Sequence, residues 1–284
     1  MRRIGNNISI SINNLSVSYN DYGPDDAPVI IFIHGFPLNK SMWDMQVETL
    51  KENYRVITYD IRGHGNSDPG MDEFFIELFV NDLLGLMEKL GIEKSILCGL
   101  SLGGYIALNA VLKYPDRFDG LILNDTQCIA DTPEIKENRC IAIIRIKENG
   151  VEQYADESIK KLFSPESFTK KKNVIAEVKE MITSTPKQTL CNTLHALAER
   201  KETCNRLEEI NIPVLIMVGK EDKITPIAAA QQMHEKILNS KLEIIQQAGH
   251  LSNLENPIAF NTHLLKFLEF VGKKSFSLSD SEGS

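Results

Sequence analysis

Short apolar runs rich in β-branched residues recur along this chain and alternate with stretches of helical periodicity. Strands buried on both faces need such continuous apolar runs, because helices cover the two sides of a parallel sheet. The alternation therefore predicts βαβ units and an α/β fold, with a mainly parallel sheet flanked by helices. The predicted strands are VIIFIH, YRVITYD, SILCG, GLILND, PVLIMVG and LEIIQ, and the predicted helices span 42–50, 74–90, 102–114, 226–237 and 257–271.

Two segments outside this alternation have patterns of their own. NISISINNLSVSYN alternates apolar and polar residues on both sides of Asn13-Asn14, which predicts a β-hairpin before the first βαβ unit. The final residues, 272–284, are small, polar and aperiodic, which predicts a disordered tail.

The segment 131–205 also differs from the rest, because it has helical periodicity without strand-like runs. A structureless loop of that length is improbable inside a compact domain. We therefore predict a helical cap over 131–205, inserted between two late strands, and an α/β core formed by 1–130 and 206–271. The cap is close to neutral, and its predicted breaks are Asn149-Gly150, Ser164-Pro165 and Thr185-Pro186.

Composition excludes several classes of partner. The 284 residues carry a formal net charge of −8, which argues against nucleic acid or an anionic membrane as a partner. No apolar run reaches transmembrane length, and the two early arginines precede no apolar signal core, so we expect a cytoplasmic protein. The cysteines are odd in number and include no C-x-x-C pair, which indicates reduced thiols rather than a disulfide framework or a thiolate metal site. They are Cys98, Cys128, Cys140, Cys191 and Cys204.

The pentapeptide Gly99-Leu100-Ser101-Leu102-Gly103 lies where a predicted strand meets a predicted helix. In that context G-x-S-x-G forms a turn so tight that the serine backbone is strained and a Cβ at either glycine would collide with neighbouring chain. The turn presents the hydroxyl at the carboxyl end of the sheet, where open α/β sheets bind ligands, above a helix N-terminus. Ser101 is therefore the candidate nucleophile.

A serine nucleophile needs a base, and the base needs an orienting acid. Asp222 in GKEDKITP and His250 in QAGHLSNLENP follow two later strands, so the order is Ser, Asp, His. Asp125 in LILNDT also ends a strand and competes with Asp222 for the role of acid, although the loop context favours Asp222. The other histidines lie in predicted helices or in loops where packing or bracing is the more usual role, and they are His34, His64, His195, His234 and His263.

Acyl transfer also needs two N–H donors aimed at the developing oxyanion, each worth about 3 kcal/mol of barrier. The backbone N–H of Leu102 supplies one, and the loop after VIIFIHG supplies the other from Phe36, with His34 bracing that loop. Trp43 is assigned either to the substrate pocket, together with Phe36 and apolar cap residues, or to the core.

Five motifs occur in this order along the chain: HGFPLNKSMW, DIRGHGNSD, GLSLGG, GKEDKITP and AGHLSNLENP. Through them the chain resembles the α/β-hydrolase-fold serine hydrolases from about Ile10 to Val271. Within that superfamily it resembles bacterial carboxylesterases related to 3-oxoadipate enol-lactonases, partly through NDTQCIADTPE. A haloalkane dehalogenase is disfavoured, because it would carry Asp in place of Ser101.

The resemblance implies cleavage of small carboxylic esters through an acyl-enzyme, with Ser101, His250 and Asp222 as the triad and with no metal or cofactor. Three alternatives stay open. One is an enol-lactonase or C–C bond hydrolase, whose substrates carry carboxylates. A near-neutral cap without an obvious arginine pair does not favour such substrates, although Arg139, Arg145 or Arg200 could bind the carboxylates. The others are a perhydrolase and, in another class, a ligand receptor that retains the fold. The expected partner is a small ester or lactone, and the natural substrate and oligomeric state are left open.

Overall fold

The computed structural model describes residues 2–279, which form one eight-stranded sheet with helices on both sides. The strand order is β1-β2-β4-β3-β5-β6-β7-β8. Strands β1 and β2, and β2 and β4, pair antiparallel, whereas all later neighbours pair parallel. The strands are β1 (Arg2–Ile12), β2 (Leu15–Pro24), β3 (Val29–Ile33), β4 (Arg55–Tyr59), β5 (Ser95–Leu100), β6 (Phe118–Asn124), β7 (Val214–Gly219) and β8 (Ser240–Ile245).

The helices connect the strands as the sequence alternation predicts, and they cover both faces of the sheet. Helices α2, α3 and α9 pack on one face, and α1 and α11 on the other. The helices are α1 (Asp44–Leu50), α2 (Ile76–Lys89), α3 (Leu102–Lys113), α4 (Pro133–Asn149), α5 (Val151–Leu162), α6 (Ser167–Lys170), α7 (Lys172–Ser184), α8 (Lys187–Glu199), α9 (Ile227–Lys236), α10 (Ser252–Glu255) and α11 (Pro257–Ser279).

Burial explains why the central apolar runs form these strands. Every residue of β4, β5 and β7 is buried, so each of these strands has apolar contacts above and below the sheet. The predicted hairpin is also found, with Ile12 paired to Leu15 across Asn13-Asn14. Both asparagines have positive φ, 47° and 62°, which asparagine tolerates better than most residues.

The segment between β6 and β7, which we call the cap (residues 131–205), contains helices α4 to α8. Helix boundaries fall at all three predicted breaks, because α4 ends at Asn149, α5 ends before Ser164-Pro165 and α7 ends before Thr185-Pro186. A further break lies at Lys171, between α6 and α7, within the lysine run 170–172.

Two expectations about helices and the tail differ from the structure. Residues 272–279 continue helix α11 instead of starting a disordered tail, because adding a residue to an existing helix is far easier than starting a new one. The rest of the predicted tail, 280–284, lies outside the described residues. A short 3₁₀ turn, Lys40–Trp43, also replaces the first part of the helix expected from Met42.

The expectation of reduced cysteines is wrong for one pair, because Cys128 and Cys204 form a disulfide. The two residues are 76 positions apart in sequence, and the exit from β6 and the segment after α8 meet at the base of the cap. Arg200 adds a polar link at the same place, since its guanidinium contacts the Asp131 carboxylate at 2.6 Å. The cap is therefore closed at its base by a covalent bond and an ion pair.

No helix within residues 2–279 has the length and apolar character needed to cross a lipid bilayer. The cytoplasmic location stays a prediction, and the disulfide does not support it, because such bonds persist mainly in oxidising compartments.

Candidate active site

Ser101 lies on the predicted turn between β5 and α3, and its backbone is strained. Its φ is 53° and its ψ is −110°, a conformation that residues with a Cβ rarely adopt. The flanking glycines leave no room for side chains, because a Cβ on Gly99 would lie 2.2 Å from the Gly103 carbonyl oxygen and one on Gly103 2.1 Å from that of Ile33. The surrounding hydrogen bonds hold this turn, with the Ser101 N–H donating to Asn124 O and Thr126 Oγ1 donating to Ser101 O.

Asp222 and His250 lie in the loops after β7 and β8 and contact each other directly. Asp222 Oδ2 is 2.8 Å from His250 Nδ1, and both side chains are buried. The second carboxylate oxygen accepts hydrogen bonds from the N–H groups of Ile224 and Thr225, and Thr225 Oγ1 donates to Oδ2. The carboxylate is therefore fully hydrogen-bonded while it holds one side of the imidazole.

The pKa values of this pair shift in opposite directions. Burial alone would raise the pKa of Asp222, but the charge of His250 and the hydrogen bonds outweigh burial and hold that pKa below its usual value. Burial alone would lower the pKa of His250, but the Asp222 carboxylate outweighs it and raises that pKa. Each group therefore stabilises the charged form of the other.

Asp125, the competing acid, is also buried at the sheet edge but hydrogen-bonds to other partners. Its Oδ1 accepts from the Gly219 N–H at 2.8 Å, and its Oδ2 is 2.5 Å from Ser252 Oγ. Burial, strengthened by the negative charge of Asp222, raises the pKa of Asp125 to about 8. The structure thus pairs His250 with Asp222 and leaves Asp125 bridging the loops on either side.

The loop after β3 brings Phe36 to the same region. His34 Nε2 accepts a hydrogen bond from the Ile61 N–H, and its other ring nitrogen lies 3.0 Å from Gly35 O, so the buried ring ties this loop to the end of β4. Leu102 is the first residue of α3, where backbone N–H groups have no partner within the helix.

A cavity of about 470 Å³ lies between the sheet edge and the cap. Ser101, His250 and Phe36 line its floor, and helices α4, α5 and α8 form the walls. Of the cap residues that line it, the sequence analysis named Arg139 and Arg145, whereas Arg200, named with them, does not line the cavity. The remaining cap residues were not identified from the sequence, although those of α5 recur at helical spacing. The full set of cap residues that line the cavity is Ile135, Asn138, Arg139, Ile141, Ala142, Arg145, Gln153, Tyr154, Glu157, Ser158, Lys161, Leu162, Leu194 and Leu197.

Trp43 lies in the core rather than on the cavity wall. Its ring is fully buried and packs on Phe32 and Phe260, with ring centroids 4.9 and 6.2 Å apart. Of its two assignments, the structure therefore supports the core. Within residues 3–273, no group of three or more His, Cys, Asp or Glu side chains is arranged to hold a metal ion.

Comparison with known proteins identifies the fold family. The model of the α/β hydrolase fold family matches residues 28–156 and 184–257. A 3-oxoadipate enol-lactonase from Acinetobacter baylyi is 32% identical over 258 residues, which cover 91% of this chain and 91% of the enol-lactonase.

Two solved structures superpose closely on this chain. A thermophilic esterase from Thermogutta terrifontis, with malate bound, has a TM-score of 0.88 and 33% identity, and the match covers 95% of this chain and 99% of the esterase. The enol-lactonase from Burkholderia xenovorans has a TM-score of 0.87 and 26% identity, with 92% and 100% covered. The chain belongs to the α/β-hydrolase-fold family, which confirms the predicted fold class and the prediction of a hydrolase.

Proposed function

We propose that this protein is a serine hydrolase that cleaves small carboxylic esters through an acyl-enzyme. The observation that carries the proposal is the 2.8 Å contact between Asp222 and His250, with His250 and the strained Ser101 lining one cavity. A serine turn, a histidine and a histidine-orienting carboxylate at one edge of the sheet, after β5, β8 and β7, are what acyl transfer requires. The similarity to an esterase and to enol-lactonases supports ester bonds as the target.

In the proposed mechanism, Ser101 Oγ attacks the ester carbonyl while His250 Nε2 takes the hydroxyl proton. The backbone N–H groups of Phe36 and Leu102 donate hydrogen bonds to the tetrahedral oxyanion. His250 then gives its proton to the leaving alcohol, which leaves an acyl group on Ser101. Water, deprotonated by His250, attacks this acyl group and releases the acid, and Asp222 keeps the imidazole in the productive tautomer throughout.

This role for His250 fixes the sign of the pH dependence. The base must be neutral in the free enzyme, so kcat/KM falls as the pH drops through the pKa of His250. Because the pairing with Asp222 raises that pKa, the midpoint of this acid limb is expected above 6.5, the usual histidine value.

A second candidate function is hydrolysis of an ester or lactone that carries a carboxylate. The cavity is lined by Arg139, Arg145 and Lys161, against one acidic residue, Glu157. Arg139 contacts Asp131 at 2.5 Å and Arg145 contacts Glu157 at 3.6 Å, whereas Lys161 forms no ion pair within the described part of the chain. Lys161 is thus the cation of this wall whose charge is left unpaired within the described residues, and it favours an anionic substrate.

Labelling with a fluorophosphonate probe tests the proposed function, because the probe reacts only with an activated serine. We expect the wild-type protein to be labelled and Ser101→Ala to remain unlabelled. A panel of p-nitrophenyl esters from acetate to laurate, together with small lactones, then ranks the two candidate substrate classes. A wild-type protein that resists the probe and hydrolyses none of these substrates would favour the ligand-receptor alternative.

A further inference from the structure

Glu255, at the end of α10, is a buried carboxylate that the proposed mechanism does not use. Glu255 is only 4% exposed, and its carboxylate accepts three hydrogen bonds. Burying a carboxylate is costly unless donors surround it, so this arrangement indicates a specific task. Glu255 forms no ion pair within the part of the chain that the structure describes.

The donors come from two different parts of the molecule. The Gly249 N–H, in the residue before His250, donates to Oε1 at 2.7 Å. The Ser164 N–H and Ser167 Oγ, both from the cap, donate to Oε2 at 2.8 and 2.6 Å. One carboxylate therefore joins the histidine loop to the segment that follows α5.

The two segments also contact each other without Glu255. The N–H of His250 itself donates to Leu162 O at 2.9 Å, at the last residue of α5. A Cβ on Gly249 would lie 2.8 Å from Ser164 N and 3.0 Å from Leu162 O, so the cap backbone passes directly against the histidine loop. The end of α5 and the backbone of His250 thus form one packed unit.

The same helix forms a wall of the cavity. Tyr154, Ser158 and Leu162 of α5 line the space above Ser101 and His250. On its other side, α5 buries Ala155 and Ile159 in the apolar cluster that includes β3 and β7. A molecule that fills the cavity therefore presses on a helix whose end is bonded to the histidine loop.

We propose that Glu255 is a positioning residue that couples cap helix α5 to His250, so that the placement of the cap sets the orientation of the base. This inference rests on the proposed function, because it assigns His250 the role of base. Since the link runs from the cavity wall to the imidazole, a substrate that seats well against α5 aligns the base.

The charges around His250 supply a second readout besides kcat, the pKa of the imidazole. Asp222 after β7, Asp125 after β6 and Glu255 of α10 all favour the protonated imidazole, and Lys161 is the cation of α5 that lines the same cavity. Removing the charge of Glu255 leaves Asp222 and Asp125 in place. The pKa of His250 should therefore fall, while its imidazole keeps the hydrogen bond to Asp222.

The test compares Glu255→Gln with the wild type by p-nitrophenyl acetate kinetics and by NMR titration of the His250 imidazole, assigned with His250→Asn. We expect kcat to fall on the order of tenfold to hundredfold with KM little changed, because a small misplacement of the base slows chemistry more than binding. The acid limb of kcat/KM and the NMR titration should both move to lower pH. The imidazole titration reports on the coupling even if the protein hydrolyses no ester, so failure of this inference and failure of the proposed function give different results.

If Glu255→Gln does not fold, Ser167→Ala replaces it in the test. This variant removes one hydrogen-bond donor to Glu255 and leaves the charge of the Glu255 carboxylate. Ser167→Ala should also lower kcat, by a smaller factor than Glu255→Gln. The matched control is Thr169→Ala, because the Thr169 hydroxyl donates a local hydrogen bond to Glu166 O. A folded Glu255→Gln with unchanged kcat and an unchanged His250 titration overturns the proposal. If that variant is unfolded, equal kcat values for Ser167→Ala and Thr169→Ala overturn it.

Discussion

The carboxyl edge of the sheet and the cap contribute to the candidate site in different ways. At the edge, Ser101 and Asp125 each follow directly on a buried strand, and Asp222 follows three residues after β7. In the cap, the cavity walls come from partly exposed helices, and α4 buries only Ile146. The groups proposed to react thus lie on the most buried part of the molecule. The residues that line the substrate cavity lie on a less buried part.

The sheet edge and the cap differ in how tightly they are packed, and this explains their different roles in the site. A shift of β5 or β7 would disturb apolar contacts on both faces of the sheet, whereas α4 and α8 meet over a small buried cluster. Substitutions on exposed helix faces usually change stability by no more than about 0.5 kcal/mol. The exposed cavity-lining residues of the cap, such as Arg145 and Lys161, can therefore change, and with them the substrate preference, while the sheet edge stays fixed.

Replacing the proposed nucleophile, which the sheet edge supplies, should cause the largest loss of catalytic activity. Ser101→Ala should fold normally and lose ester hydrolysis by a factor on the order of 10⁶, measured as kcat with p-nitrophenyl acetate. Cys98→Ser is the control, because burial raises the pKa of this thiol far above its usual value and leaves it unreactive. Near-normal turnover by Ser101→Ala, with loss in Cys98→Ser, would contradict the assignment.

The two buried carboxyls of the edge should respond unequally. Asp222→Asn should cut kcat about 10⁴-fold, because His250 loses its tautomer and its charge partner. Asp125→Asn should cost much less, since the Asp125 carboxyl hydrogen-bonds to Gly219 and Ser252 and not to His250. Steady-state kinetics of both variants check this, and the reverse order would assign the acid to the end of β6.

Removing the disulfide at the base of the cap should lower the thermal stability and leave the catalytic rate largely unchanged. Replacing Cys128 and Cys204 together by serine releases the link across 76 positions, which is worth about 4.5 kcal/mol in the chain-entropy account. The thermal midpoint should fall by roughly 10 °C, with kcat at 25 °C largely kept. Cys140→Ser, at an exposed free cysteine, is the matched control, and equal midpoints for the two variants would show that the bond does not constrain the cap.

The smallest expected effect concerns the inner wall of the cap. Lys161→Gln should lower kcat/KM for a p-nitrophenyl ester of succinate about fivefold, and leave the acetate ester unchanged, because an exposed ion pair is weak. Added salt should reduce the difference. Lys160→Gln is the control, since Lys160 is exposed and does not line the cavity, and an equal loss in both variants would argue against an anionic substrate.

Much of the fold and the pairing of Asp222 with His250 could be predicted, because the signals are local. Apolar runs such as VIIFI and SILCG form strands wherever helices cover both faces, and parallel strands bring their carboxyl ends to one edge. The cap walls could not be predicted in this way. Periodicity finds its helices, but which side faces Ser101 depends on how α4, α5 and α8 pack against the core.

The sequence by itself determined the α/β architecture, the strained serine turn and the order of the candidate triad, since each depends on residues adjacent in the chain. Only the tertiary structure decided the disulfide between Cys128 and Cys204, the cations facing the cavity and the link from Glu255 to the cap. Each of these joins segments far apart in sequence. Such contacts form only when the whole chain packs, so no local pattern records them.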